Sequence, residues 1–86
     1  MTSIQDTVNA AYRIGEGAKQ VTLRSETCAS ALQQHAQTLA GLVRGSRSGE
    51  EAVREVQAAE RAVRECGARM LTLQTRVDEY VRDAVK

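Results

Sequence analysis

The sequence of 86 residues contains no proline, tryptophan or phenylalanine and only two tyrosines. Without proline, no residue obliges a helix to end, and a composition rich in Ala, Gln, Glu and Arg favours long helices. Because aromatic residues are so few, the apolar fraction of 42% consists chiefly of Ala, Val and Leu. These side chains suit close helix packing and leave little material for a deep pocket. We expect one small helical domain with no cofactor and no small-molecule substrate.

The chain also lacks an excess of charge of one sign and a long apolar run. Twelve basic and eleven acidic residues are mixed along it, giving a formal net charge of +1. A nucleic-acid binder usually has a basic stripe with stacking aromatics, so no nucleic-acid partner is expected. No apolar stretch is long enough for an integral membrane segment, and the first residues do not resemble a signal peptide. We therefore expect a cytoplasmic protein, or one secreted without a cleavable signal peptide.

Small polar residues cluster at the midpoint of the chain, between Arg44 and Gly49. Gly45 follows the pattern of a helix end, and Ser48 with Glu51 is typical of a capping box that opens the next helix. A connection this short makes the two helices antiparallel neighbours. The prediction is an all-α, antiparallel two-helix hairpin that forms a single domain over 1–86, with helix 1 at about 3–44, a turn at 45–48 and helix 2 at about 49–85. The turn residues are Gly45, Arg47, Ser48 and Gly49.

In the second half, apolar residues follow an alternating spacing of four and three from Ala52 to Ala84, as in a coiled-coil seam. We predict that the interaction residues on this seam are Val56, Ala59, Val63, Met70, Leu73, Val77 and Tyr80. Tyr80 is expected to fill space left by Gly15 and Gly17 on the facing helix.

The first half has a wider apolar stripe built from smaller residues. Thr2 and Gln5 are predicted to cap its start. Its seam runs from Ile4 to Val43 and includes Leu32 and Leu39, while a flanking line holds Ile14, Val21, Cys28, His35 and Leu42. Two such amphipathic helices leave part of each stripe exposed, and two-helix units of this size usually associate into four-helix bundles. We expect a homodimer, or a heterodimer with another helical protein.

The two cysteines, Cys28 and Cys66, are placed at the same level by a fold about Arg47. This leaves two alternatives, a disulfide across the hairpin or two buried thiols, and the second suits a reducing cytoplasm. His35 is the only histidine. One histidine and two separated cysteines have the wrong count and spacing for a metal site, and no third group supports a nucleophilic pair. We predict no catalytic, metal or cofactor site.

Two long helices, a short central turn and a similar chain length resemble the Trp-x-Gly helical-hairpin (Esx-like) substrates of type VII secretion and their partner proteins. Gly49 stands where that family has its glycine, and Arg47 replaces the tryptophan. Tyr80 and Asp83 resemble the family's Tyr-xxx-Asp/Glu export signal, with the acid one residue early. The resemblance implies a bacterial, dimerising helical hairpin that serves as a substrate, a partner subunit or a targeting helper for a larger secreted effector. The alternatives are a cytoplasmic helical adaptor or chaperone, and a filament subunit.

Overall fold

The computed structural model describes residues 3–86, which form two α-helices, α1 (Ile4–Leu42) and α2 (Arg47–Ala84). The helices pack against each other and give a rod of 62 × 17 × 17 Å. The predicted all-α hairpin is confirmed, and no strand occurs in this range. Its radius of gyration is 19.1 Å, whereas a compact domain of this length would have about 12 Å. Most side chains therefore lie near solvent.

Helix α1 begins with a capping box formed by Ser3 and Asp6. The Asp6 amide donates to Ser3 Oγ at 3.0 Å, and the Ser3 amide donates to Asp6 Oδ2 at 3.4 Å. These two bonds satisfy backbone donors that have no partner inside the helix. The predicted Thr2–Gln5 box depends on Thr2, which lies outside the described residues, and the observed box stands one residue later.

The turn differs from the prediction because Ser46, rather than Ser48, caps α2. Gly45 adopts a φ of +84°, a conformation that favours glycine, and the Ser46 amide donates to the Val43 carbonyl at 2.9 Å. Ser46 Oγ then accepts from the Gly49 amide at 3.2 Å. The capping box predicted at Ser48 is therefore wrong. Of the four predicted turn residues, Arg47, Ser48 and Gly49 lie in the first turn of α2.

Gly49 packs directly on Val43, the residue that ends α1. A Cβ atom at Gly49 would lie 2.8 Å from Val43 Cγ2 and closer still to Val43 Cβ. Those separations are below van der Waals contact, so only glycine fits between the closing ends of the two helices.

The predicted seam of α1 faces α2 along most of its length. Most of its small residues and Val8 are buried, with Ala29 fully inaccessible, and most of its larger residues are half-buried. Ile4 is the exception, since 71% of it is exposed. The buried seam residues are Val8, Ala11, Ala18, Thr22, Ser25, Ala29 and Ala36, and the half-buried ones include Leu32, Leu39 and Val43.

The seam predicted for α2, with its alternating spacing of four and three, consists of two rows of residues. Only one of these rows faces α1. Val56, Val63, Met70 and Val77 are half-buried as members of it, but the second row is one residue later than predicted. That row consists of Val53, Glu60, Gly67, Gln74 and Val81.

Contacts to α1 explain why this second row faces inward. A Cβ at Gly67 would be 3.2 Å from Ser25 Cβ, so the two backbones approach closely there. Gln74 Nε2 donates to Thr22 Oγ1 at 3.0 Å. Val81 packs with Val8 and Ala11 in the small core cluster.

The rotation of α2 moves three predicted seam residues to its flank. Ala59 and Tyr80 are exposed, Tyr80 by 46%, and Leu73 is half-buried. The prediction that they form the centre of the seam is wrong, because the glycine and the polar side chains one position later permit closer helix packing. Tyr80 does not fill the space at the glycines: a Cβ at Gly15 would lie 3.4 Å from Val77 Cγ1, and one at Gly17 would meet nothing within 4 Å.

Candidate functional site: an apolar face on one flank of the hairpin

One flank of the hairpin carries two rows of residues, one on α1 and one on α2. Each residue of one row lies beside a residue of the other row at the same height along the rod. Each row lies one residue before a row of the seam and repeats every seventh residue, so its members share one side of the helix. The contacts of Gly15 with Val77 and of Ser25 with Gly67 fix the levels at which the two rows meet. We call these ten residues the apolar face: Ile14, Val21, Cys28, His35, Leu42, Ala52, Ala59, Cys66, Leu73 and Tyr80.

No member of the apolar face is Asp, Glu, Lys or Arg. Its largest side chains are open to solvent, with 55% of Ile14, 78% of Leu42 and 46% of Tyr80 exposed. At its middle, Cys28 and Cys66 line a shallow groove together with Val21, Val63, Ser25 and the Arg24 side chain at its border. The groove joins the two rows, so the flank is one surface rather than two separate stripes.

The opposite flank is polar and is bridged by hydrogen bonds. Arg64 donates to Gln33 of α1 at 3.3 Å and is paired with Glu60 at 2.9 Å. Two grooves on this side include charged or amide side chains such as Lys19 and Asp78, while a third is lined by Leu71 and Ala68 together with Glu26 and Arg64. The two flanks therefore differ in charge, although the charged flank also exposes Tyr12 and Leu71.

The predicted interaction residues divide between the seam and the apolar face. Seven lie in the seam and hold the hairpin together, and three lie on the apolar face, where a partner can reach them. The seam residues are Leu32, Leu39, Val43, Val56, Val63, Met70 and Val77, and the face residues are Ala59, Leu73 and Tyr80.

Cys28 and Cys66 are both free and exposed in the structure. The alternative that described them as buried thiols is wrong, because Cys28 lies on the flank of α1 and the rotation of α2 places Cys66 on the same flank. They line the same groove, and a disulfide between them stays a prediction.

His35 is exposed on the apolar face. In residues 3–86, no three His, Cys, Asp or Glu side chains come close enough together to hold a metal ion. Over the same range, neither helix contains a segment sufficiently long and apolar to cross a membrane.

Sequence reasoning did not assign an interaction role to Ile14, Val21 and Leu42. The signal was present, since these residues recur at intervals of seven beside the α1 seam. Their role depends on the α2 row that lies beside them, and only the structure shows that this row is at the flank. The chain matches no family model, no curated protein and no solved structure.

Proposed function

We propose that this protein is a non-catalytic protein-interaction module that binds a helical partner through its apolar face. The observation that carries the proposal is a band of ten residues on one flank of a narrow rod, nine of them exposed and none of them Asp, Glu, Lys or Arg. Exposed apolar patches of this extent, bordered by polar residues, mark interaction sites in soluble proteins.

The weakness of the hairpin's own core supports the same proposal. Among residues 3–86 no large side chain is fully buried, and the core cluster consists of Val8, Ala11 and Val81 with two half-buried neighbours. A core this small contributes little to the free energy of unfolding. Covering the apolar face would add apolar burial that two helices alone do not provide.

We further propose that the partner belongs to a type VII secretion system, with this chain acting as a substrate, a partner subunit or a targeting helper for a larger secreted effector. The hairpin architecture supports this role, as does Gly49 at the position of the family's turn glycine. The tight packing of Gly49 on Val43 gives that glycine a structural task. Tyr80 and Asp83, three residues apart near the end of α2, are both exposed in the single hairpin.

The second candidate function is a cytoplasmic adaptor or chaperone unrelated to secretion. It is favoured by Arg47, whose side chain is 94% exposed and pairs with Glu51 at 3.5 Å. A charged, solvated side chain at this position provides no aromatic anchor at the turn. Deleting the secretion ATPase in the native host separates the two candidates: the first predicts that the protein disappears from the culture medium, and the second predicts that it never occurs there.

The interaction face is tested by a matched pair of substitutions at adjacent exposed alanines of α2. Ala59→Glu places a carboxylate in the apolar face, whereas Ala58→Glu places the same group on the outer surface of the helix. Burying an unpaired charge at an interface costs several kcal/mol, roughly 3–5 in measured cases. We therefore expect the affinity of the A59E variant for its partner to fall by a factor of 100 or more, because a loss of about 2.7 kcal/mol is enough for that factor.

The measurement is co-purification of tagged protein from its native host, with circular dichroism to show that both variants remain helical. The A58E variant should retain the partner that the unsubstituted chain captures. If the two variants capture the same partner equally well, the apolar face is not the binding site.

A further inference from the structure

We infer that Cys28 and Cys66 form a redox switch, in which a small anionic disulfide oxidises the two thiols to a reversible cross-link that locks α1 to α2. The structure shows the reduced state, with both thiols free and exposed to a reactant. The chain has two cysteines in all, so each has one possible partner within the molecule. The inference concerns a single hairpin and does not rest on the proposed function.

The register of the hairpin places the two cysteines at nearly the same height. A Cβ at Gly67 would lie 3.2 Å from Ser25 Cβ, so these two residues are opposite each other. Because the helices are antiparallel, Cys66 lies at the height of Glu26, the residue after Ser25. Cys28 is two residues further along α1, or about 3 Å at 1.5 Å for each residue.

The direction of the side chains reduces the remaining difference in height. In an α-helix each Cα–Cβ bond tilts toward the N-terminus of its own helix. The Cys28 side chain therefore leans toward the open end of the hairpin, and the Cys66 side chain leans toward the turn. Since Cys28 is the cysteine nearer the turn, the two side chains lean toward each other.

The two helix backbones also approach closely at this level. Ser25 and Gly67 meet there, and Ala29, next to Cys28, is fully inaccessible. A disulfide needs Cβ atoms about 3.5–4.5 Å apart, and small seam residues allow such an approach between neighbouring helices. Both cysteines line one groove, so their side chains share the same open space.

The oxidation consists of two thiol–disulfide exchanges. In the first, the thiolate of one cysteine attacks a sulfur of the small disulfide, forms a mixed disulfide and releases one small thiol. In the second, the thiolate of the other cysteine attacks the protein sulfur of the mixed disulfide, forms the Cys28–Cys66 bond and releases the second small thiol. The protein gives up two electrons and two protons, and the two small thiols that are released carry both.

Arg24 favours an anionic reactant in this groove. Its side chain borders the groove, whose other residues are Val, Ser and Cys. It takes part in no ion pair within residues 3–86. An unpaired cation attracts negatively charged molecules and raises the rate of their encounter. The expected oxidant is therefore a small disulfide that carries carboxylates, such as glutathione disulfide.

The cross-link strengthens the half of the hairpin that has the weaker core. The core cluster of Val8, Ala11 and Val81 lies at the open end, whereas the disulfide closes a loop from 28 to 66 that includes the turn. In the chain-entropy model, closing a loop of this length raises the ratio of folded to unfolded protein by roughly 100- to 1,000-fold. Oxidation therefore holds the two helices together, and reduction releases them.

The test is incubation of dilute, reduced protein with glutathione disulfide, followed by mass spectrometry and urea unfolding. We expect a monomer lighter by two hydrogen atoms, with no thiol left for alkylation. Its urea midpoint should rise and should return to the original value after dithiothreitol is added. Cys28→Ser and Cys66→Ser are the controls, because each should retain one glutathione and keep its midpoint.

Three products would overturn the switch. They are a chain that carries two glutathiones, a disulfide-linked dimer as the main species, and an oxidised monomer whose urea midpoint has not risen. Persistence of two free thiols would also overturn it. Because each measurement uses the isolated hairpin, these outcomes are independent of whether Ala59→Glu abolishes partner binding.

Arg24→Gln tests the preference for an anionic oxidant. Oxidation by glutathione disulfide should slow by about 3- to 10-fold at low ionic strength, and by less in high salt. Oxidation by the uncharged 2-hydroxyethyl disulfide should keep its rate. Arg54→Gln is the matched control, since Arg54 is exposed and lies about 18 Å along α2 from Cys66, from 12 residues at 1.5 Å each. Equal slowing with both disulfides would overturn the role of the Arg24 charge.

Discussion

The seam between α1 and α2 and the apolar face beside it differ in the size of their residues. The buried seam positions of α1 hold Val, Ala, Thr and Ser, and the middle of the α2 seam holds Gly67 and Gln74. The face carries Ile14, Leu42, Leu73 and Tyr80, all at least partly exposed. The larger seam residues Leu32, Leu39 and Met70 are only half-buried, so small residues occupy most of the closest contacts between the helices.

This distribution separates two tasks that a larger domain would combine in one core. Small seam residues let the helix backbones approach and set the register, but they bury little apolar area for each residue. The face residues Ile14, Leu42 and Tyr80 still have about half or more of their surface available for burial. Substitutions in the seam should therefore change the unfolding of the hairpin, and substitutions on the face should change its association.

The largest effect on folding is expected from Gly49→Ala, at the closed end of the seam. The added methyl overlaps the Val43 side chain, and overpacking of this kind costs about 1–3 kcal/mol. The higher helix propensity of Ala offsets up to about 1 kcal/mol of that cost. Urea unfolding followed by circular dichroism should show a lower midpoint.

Gly17→Ala provides the control for Gly49→Ala, because a Cβ at Gly17 meets nothing within 4 Å. With no steric cost, the same substitution should stabilise α1 by up to about 1 kcal/mol. A Gly49→Ala variant as stable as Gly17→Ala would show that the helix ends do not need the close contact with Val43.

The sequence was sufficient to predict the hairpin, because the helical periodicity and the glycines at the turn are local signals. It also predicted the α1 seam almost completely, since small residues there form one clear row. The α2 seam was only half predicted. Two rows of that helix, one with Leu73 and Tyr80 and one with Gly67 and Gln74, compete for the inward position.

Judged by apolar residues alone, the row that contains Leu73 and Tyr80 was predicted to face α1. What decides between the rows is how closely Gly67 can approach Ser25 and whether Gln74 can reach the Thr22 hydroxyl. Both are properties of two helices together, so no pattern within one helix reveals them. The apolar face escaped prediction for the same reason, because its second row was assigned to the seam.

The next largest effect separates the two tyrosines, which lie on opposite flanks with similar exposure, 46% for Tyr80 and 56% for Tyr12. Truncating a tyrosine that packs in an interface commonly costs about 2 kcal/mol or more. Tyr80→Ala should therefore weaken association by roughly 30-fold, from about 2 kcal/mol at 1.4 kcal/mol for each factor of ten. Tyr12→Ala should leave binding of the captured partner unchanged, as measured by co-purification from the native host.

Equal losses at the two tyrosines would mean that association does not distinguish the flanks. The proposal that the seam determines folding and the apolar face determines association would then be wrong for association. Unfolding of diluted, monomeric protein gives the complementary measurement, in which Tyr80→Ala should resemble the unsubstituted chain because the side chain is already half exposed.

The smallest effect is expected at Thr22, in the polar middle of the seam. Its hydroxyl donates to the Ala18 carbonyl and accepts from Gln74 Nε2, both at 3.0 Å. Thr22→Val keeps the shape and leaves the Gln74 amide without this partner, which costs about 1 kcal/mol for a neutral hydrogen bond. Urea unfolding should show that loss in the single variant.

Adding Gln74→Leu to Thr22→Val should restore much of the lost stability, because apolar groups then replace both partners and no amide remains unpaired. If the double variant is instead less stable than the single one, the hydrogen bond is not what Gln74 contributes. The inward orientation of the α2 row would then depend on Gly67 and Val81 alone. The Thr22–Gln74 hydrogen bond would help to set the register of the two helices without adding to the stability of the hairpin.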